Sequence, residues 1–407
     1  MFEIEKVYQA QEALKNVLYP TPLLKFENLL PSGTCYLKCE NLQHTGSFKI
    51  RGAYFRISQL SKKEQKRGVI AASAGNHAQG VALAAQLKNI KATIVMPKGA
   101  PILKAEATRR YGAEVILAGD SFDEAYQHAK EIQKQTGAIF IEPFNDESII
   151  AGQGTLALEI LSQKPDLEVL LLPVGGGGLA AGIASVIKNL KPQVTIYGVE
   201  AADCASMALS FEKNQPTTLS SAHTIADGIF VKRPGDLTFS LCHKYLDAIL
   251  TVSEEEIASG ILTLMEKTKL VVEGAGAVAF TAALYEKADL KDKKTVCLLS
   301  GGNIDVNMLA RIIDRGLAKT GRKLTFGTIL PDKPGMLYGL LQLLANHNAN
   351  IISIQHDRSH PLSTPDRCFV EISIETANVN HRQSIIDLLA NQGYKIVLLE
   401  EQEVLPE

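Results

Sequence analysis

Apolar and polar positions alternate along the chain in two different rhythms. Between residues 69 and 300, short runs of Val, Ile and Leu at 69–72, 93–96, 115–117, 139–141, 169–174, 195–200 and 296–300 are separated by longer amphipathic stretches. Continuous apolar runs suit strands covered on both faces, and the stretches between them suit helices, so the pattern predicts an α/β domain with parallel sheets. Segments 61–67 and 120–136 carry charge along one face and read as exposed helices. Several strands end in a cluster of Gly, Ser or Asn, which is where an open α/β sheet places its ligands.

After about residue 307 the rhythm changes. Arg311, Arg315, Lys319, Arg322 and Lys323 gather around Gly316 and Gly321, which predicts a linker over 311–323. Beyond it, strand 324–330, helix 336–347, strands 350–358 and 367–376, helix 379–391 and strand 395–404 spell βαββαβ, the ferredoxin-like order. The expected division is therefore 1–310, with a smaller subdomain at about 45–145 inserted in the larger, then the linker, then 324–407.

Composition narrows the possible functions. Among 407 residues, 42 Lys+Arg stand against 44 Asp+Glu, for a formal net charge of -2, so no basic field exists to neutralise phosphates and no nucleic-acid partner is expected. Trp is absent. The start, Met1-Phe2-Glu3-Ile4-Glu5-Lys6, lacks a basic region followed by an apolar stretch, and a cytoplasmic protein is expected. The uncharged run 169–187 is interrupted by Pro173 and Gly175 to Gly178, so it reads as strand, loop and helix rather than a membrane span. The six cysteines form no C-x-x-C pair and the nine histidines no H-E-x-x-H pattern, so reduced thiols and no metal are expected.

Four segments hold candidate chemistry. Lys49 lies in Thr45-Gly46-Ser47-Phe48-Lys49-Ile50-Arg51-Gly52. Alone it reads as a solvated cation, yet apolar neighbours favour the neutral amine a Schiff base needs. Ser73-Ala74-Gly75-Asn76-His77 follows a strand and opens a helix, whose N-terminal amides can bind a carboxylate or phosphate. Gly175-Gly176-Gly177-Gly178-Leu179 repeats that arrangement with four glycines, a composition that points to close approach of an anion. Without a following Lys-Ser or Lys-Thr it is no nucleotide P-loop, but Gly176, Gly178 and Ala181 with Glu200 also match a nicotinamide fingerprint. That alternative makes the chain a dehydrogenase with Glu200 on ribose hydroxyls. Ser300-Gly301-Gly302-Asn303 ends a buried strand.

In this order the four segments resemble the threonine dehydratases of the tryptophan synthase β group of pyridoxal phosphate enzymes, and the resemblance covers roughly residues 1–320. It implies the two-subdomain open-sheet fold (fold type II) and a β-elimination that turns L-threonine into 2-oxobutanoate and ammonia, and L-serine into pyruvate. It further implies Lys49 as the Schiff-base lysine and α-proton base, Asn76 on the cofactor's phenolic oxygen, and Gly175, Gly176, Gly177, Gly178 and Leu179 around its phosphate. Phe48 would pack beside the cofactor, and Ser300 would meet its pyridine nitrogen. Ser73, Ala74, Gly75, Asn76 and His77 would hold the substrate carboxylate. In the related serine racemases a serine stands where this chain has Ala74, and a metal binds near the segment matched by Glu200 to Cys204, where the spacing here is shorter. A serine racemase-like enzyme is thus a further alternative. The C-terminal stretch, with Asp332-Lys333-Pro334-Gly335 and Ala349-Asn350-Ile351, looks like a single ACT regulatory domain. Asp332, Pro334, Gly335 and Asn350 are its expected effector contacts, isoleucine or valine the expected effector, and a homo-oligomer the expected assembly. A catalytically dead amino-acid sensor would release no ammonia.

Overall fold

The computed structural model describes residues 3–29 and 33–399. The chain divides into two compact units, Met1–Asp305 and Val306–Glu407.

The strands of the first unit are, in chain order, β1 (Leu23–Phe26), β2 (Thr34–Cys39), β3 (Val69–Ala72), β4 (Ala92–Met96), β5 (Glu114–Leu117), β6 (Ile139–Phe140), β7 (Val169–Pro173), β8 (Thr195–Ala201), β9 (Ala248–Val252) and β10 (Lys294–Leu299). They form two sheets. One has the order β1-β2-β10-β7-β8-β9, all parallel except β1; the other is the parallel set β5-β4-β3-β6.

In the smaller sheet the period of two is visible in the packing. Val69 and Ala71 of β3 join the core under helices Lys49–Ser58 and Asn76–Leu87, while Ile70 and Ala72 face helix Phe122–Thr136 on the other side. In the larger sheet β7 is buried along its whole length, as expected of a central strand with helices on both faces. Helix Lys49–Ser58 is pressed backbone to backbone against helix Glu147–Gln163: a Cβ on Gly152 would lie 2.6 Å from the Cα of Gly52.

The second unit begins with helix Val306–Lys319, so most of the segment expected to be a linker is helical. Leu309, Ile312, Ile313 and Leu317 recur at helical spacing, and that apolar stripe outweighs the cations that suggested a tether. There follow β11 (Lys323–Pro331), helix Met336–Asn346, β12 (Asn350–Asp357), β13 (Arg367–Glu375), helix Val379–Asn391 and β14 (Ile396–Leu398). The sheet is antiparallel in the order β12-β13-β11-β14, the ferredoxin-like arrangement. Residues 400–404, expected to continue the last strand, lie outside the described residues. No described helix is long and apolar enough to cross a membrane, and all six cysteines are free and buried.

Candidate active site

The Lys49 segment and the Ser300 segment are zipped together by their backbones. Phe48 N donates to Ser300 O at 3.1 Å and Gly302 N to Gly46 O at 2.9 Å, with a bridge between Ser47 and Gly301. Thr45 is held at φ 63, a left-handed conformation rare for a β-branched residue, and its carbonyl accepts from Asn303 Nδ2 at 2.7 Å. Lys49 opens its helix from this turn and donates from Nζ to Pro143 O at 3.3 Å. Burial pushes its amine down to about 8, against the opposing pull of the Glu273 carboxylate.

Asn76 is the first residue of the helix that packs on Lys49. Its Nδ2 donates to Glu273 Oε1 at 2.6 Å, and its Oδ1 accepts from Asn303 Nδ2 at 2.7 Å. Both ends of the amide are thereby fixed. Glu273 is almost fully buried; burial, reinforced by the Asp227 carboxylate, raises it to about 7, while Lys104, paired with Asp227, pulls the other way. His77 lies with Nε2 2.9 Å from Ile141 O, and burial, aided by the charge on Lys49, brings it down to about 3, so the imidazole is neutral at physiological pH. Before it, Ser73, Ala74 and Gly75 are partly exposed, and a Cβ built on Gly75 meets nothing within 4 Å. That turn is open to a ligand.

The glycine loop is closed instead. Cβ atoms on Gly176 and Gly178 would fall 2.3 Å and 2.9 Å from Phe144, and one on Gly175 2.9 Å from the Ile229 backbone. Gly177 sits at φ +89 as the N-cap of helix Gly178–Leu190, so only glycine fits its backbone without strain. Thr238 Oγ1 locks the turn by donating to Gly176 O at 2.6 Å. The first amides of this helix have no carbonyl partner within it, which makes its end a receptor for an anion. Pro143 and Phe144 are consecutive, so the carbonyl that receives the Lys49 amine adjoins the ring that seals the loop. Ser300 is buried and makes only a long 3.4 Å contact from Oγ to Ala275 O. Phe48 and Leu179 share the main core of the larger sheet.

The structure thus brings Lys49, Asn76, His77 and Ser300 to one locus, and through Phe144 links it to the glycine loop. Sequence reasoning did not single out Glu273, Phe144 or the Lys104–Asp227 pair. Glu273 had a signal, being the only charge between Leu270 and Leu284. The nicotinamide alternative fails on Glu200. Its carboxylate is fully buried and accepts from Met207 N at 2.9 Å and Ala208 N at 2.8 Å, turned into the start of helix Ser206–Lys213 instead of toward a ribose.

An amine of lowered basicity beside a fixed amide, with a helix end shaped for an anion, suits a carbonyl compound that carries a phosphate. Comparison with known proteins agrees. Residues 14–301 match the family described as pyridoxal-phosphate dependent enzyme, and residues 325–381 match the ACT domain. The L-threonine ammonia-lyase of Thermotoga maritima is 50% identical over 398 residues, covering 97% of this chain and 99% of that one. Among solved structures, the processed form of threonine deaminase isoform 2 from Solanum lycopersicum aligns with a TM-score of 0.73 at 39% identity, over 77% of this chain and 94% of that one. Maize serine racemase aligns with a TM-score of 0.73 at 33% identity, over 78% and 98%.

The chain is a pyridoxal-phosphate dependent enzyme of the two-subdomain α/β fold type II. Within that class it belongs to the threonine ammonia-lyase family, in the form that carries a C-terminal ACT domain. The residues present fit the cofactor: besides the amine and the glycine loop, the hydroxyls of Thr45 and Ser47 are buried next to Lys49 without a hydrogen-bond partner.

Proposed function

We propose that this chain converts L-threonine to 2-oxobutanoate and ammonia, and L-serine to pyruvate and ammonia, with the catalytic role resting on Lys49. The observation that carries the reading is the Lys49 amine, lowered to about 8 and held beside the fixed amide of Asn76, in a chain so similar to an L-threonine ammonia-lyase along its full length. Bound pyridoxal phosphate supplies an aldehyde that links to the amino group and a ring that takes up the electron pair when the α-proton leaves.

Lys49 would anchor the cofactor through its amine, and the same amine, neutral part of the time, would take the α-proton of the substrate. Asn76 keeps one Nδ2 hydrogen on Glu273 and has a second for the phenolic oxygen. The amides of Gly175, Gly176, Gly177, Gly178 and Leu179 would receive the phosphate, Phe48 would pack beside the ring, and Ser300 would offer the pyridine nitrogen a neutral hydroxyl, which does not hold it protonated. The turn Ser73, Ala74, Gly75, Asn76, His77 holds the substrate carboxylate with its amides and so orients the α-C–H bond. The β-hydroxyl would depart as water, and hydrolysis of the released enamine product would consume one water and give the 2-oxo acid and ammonia, so that no net water is formed or used. Ala74 offers a methyl group, which cannot hand a proton back to the opposite face of the α-carbon, so racemisation is not expected.

The ACT domain would adjust this reaction in response to isoleucine, with valine second, as a step that feeds isoleucine biosynthesis. Gly335, at φ +88, caps helix Met336–Asn346, and Asp332 and Pro334 stand just before it as effector contacts, whereas Asn350, opposite Glu375 and Lys323, lies at the other end of the sheet and is not beside them within one chain. Edge strand β12 exposes Ile352 and Ile354, a surface that a second copy of the domain would cover in a homo-oligomer. Six cysteines with no disulfide suit the cytoplasm. Assay of the full chain with pyridoxal phosphate and L-threonine should release 2-oxobutanoate and ammonia in equal amounts, and L-serine should give pyruvate with little D-serine. No keto acid from either substrate overturns the reading.

A further inference from the structure

The second unit brings three different metal-ligand side chains together from two strands and the turn that follows a third. Cys368 of β13 stands opposite Leu330 of β11, and His356 of β12 stands opposite Val370 of β13. Side chains alternate across a sheet, so Leu330, Cys368, Val370 and His356 share one face, and Asp332, two residues past Leu330, continues it beyond the end of β11. Leu330, Cys368 and Val370 are buried in the core of this unit, whereas Asp332 and His356 are exposed. The cluster therefore sits where the core-facing side of the sheet runs out into water. A carboxylate oxygen of Asp332, an imidazole nitrogen of His356 and the Cys368 sulfur all lie within 4.8 Å of one another.

We propose that Asp332, His356 and Cys368 form a binding site for a divalent transition metal of the zinc class, with water in the fourth position. Tetrahedral bonds of about 2.0–2.3 Å put ligand atoms roughly 3.3–3.7 Å apart, so side-chain rotation of about an ångström closes the site. Asp332 is already oriented: Arg358 grips it with Nε to Oδ2 at 2.7 Å and Nη2 to Oδ1 at 3.0 Å, and each oxygen keeps a lone pair. An outer hydrogen-bond partner of this kind is what fixes a ligating carboxylate. The sulfur is held only by a 3.6 Å contact to Leu330 O. A thiolate with an imidazole selects zinc-like ions over magnesium or calcium. On binding, the Cys368 S–H bond breaks, the sulfur donates its electron pair to the metal and the proton passes to solvent; nothing is oxidised or reduced. Affinity therefore rises with pH. The bound ion would tie the first residue of the Asp332–Gly335 turn to β12 and β13.

The test is titration of the tag-free, chelator-treated full chain with Co²⁺ alone, no amino acid being present, so its result is independent of the effector reading. One equivalent per chain should produce visible d–d bands to the red of the cofactor absorption, together with a thiolate charge-transfer band, and Zn²⁺ should displace it. His356→Ala and Asp332→Asn, both at exposed positions, should each weaken binding by at least about tenfold. Cys368→Ser should abolish the charge-transfer band; if that variant does not fold, the two exposed variants decide. Absence of saturable binding, affinity unchanged in both exposed variants, or a charge-transfer band that survives Cys368→Ser overturns the proposal.

Discussion

A solvated lysine is neutral fewer than about once in a thousand at pH 7, whereas one lowered to about 8 is neutral about a tenth of the time. The sign fixes an expectation: the amine of Lys49 is available above about pH 8 and withheld below it. Capture of pyridoxal phosphate by the cofactor-free chain, followed by absorbance, should accelerate with pH and level off past that point; a rate still climbing near pH 10 would contradict the proposed environment. Lys49→Ala should lose several orders of magnitude in kcat/KM, because one amine serves as anchor and base. Borohydride reduction of the wild type should place the pyridoxyl group on Lys49 and no other lysine. At this scale the sequence marked residues that sit in ordered motifs, and the structure brings three of them, Lys49, Asn76 and Ser300, to one locus. The sequence marked Glu273 only as a lone charge in an apolar stretch, and could not show that its partner Asn76 lies 197 residues away or that burial raises its pKa.

Helix Lys49–Ser58 is pinned by charges that are themselves buried. Arg51 donates to Glu40 from Nε at 2.7 Å and Nη2 at 2.8 Å, and also from Nη2 to Glu159 at 2.8 Å; Lys38, fully buried on β2, pairs with Glu159 and donates to Thr21 O at 2.6 Å. Breaking such a network strands the remaining charge, so Arg51→Ala should destabilise the fold by about 3–5 kcal/mol, read as a lower denaturant midpoint of the holoenzyme. An unchanged midpoint would mean that the helix is held by packing at Gly52 alone. The same network explains a limit of sequence reading: a lysine inside β2 looks like surface until its charge partner Glu159, 121 residues on, is known. β1 and β9 escaped notice for a different reason. Both are edge strands with partly exposed side chains, and neither presents the continuous apolar run of β7 or β10. The βαββαβ order was legible because its strands and helices are separated by short turns and its apolar spacing is regular.

For the whole molecule, a catalytic unit joined to an ACT domain, with the effector role proposed for it, predicts a response to amino acids other than the substrate. Calorimetric titration of the full chain with isoleucine should give heat, valine a weaker response, and the effector should shift threonine kinetics by a coupling of about 1–3 kcal/mol, roughly five- to 150-fold. No heat with either, and unchanged kinetics, would leave the second unit an assembly role. The two ligand turns of the catalytic unit also differ in how they can evolve. At Gly175, Gly176 and Gly178 any side chain strikes backbone or the Phe144 ring, so drift there is purged by loss of the fold itself. At Gly75 an added side chain meets nothing within 4 Å. Packing alone therefore demands glycine in the glycine loop and not at Gly75, so Gly75→Ala should leave the denaturant midpoint unchanged, and any loss of threonine turnover in that variant reports on the ligand that the turn is proposed to hold.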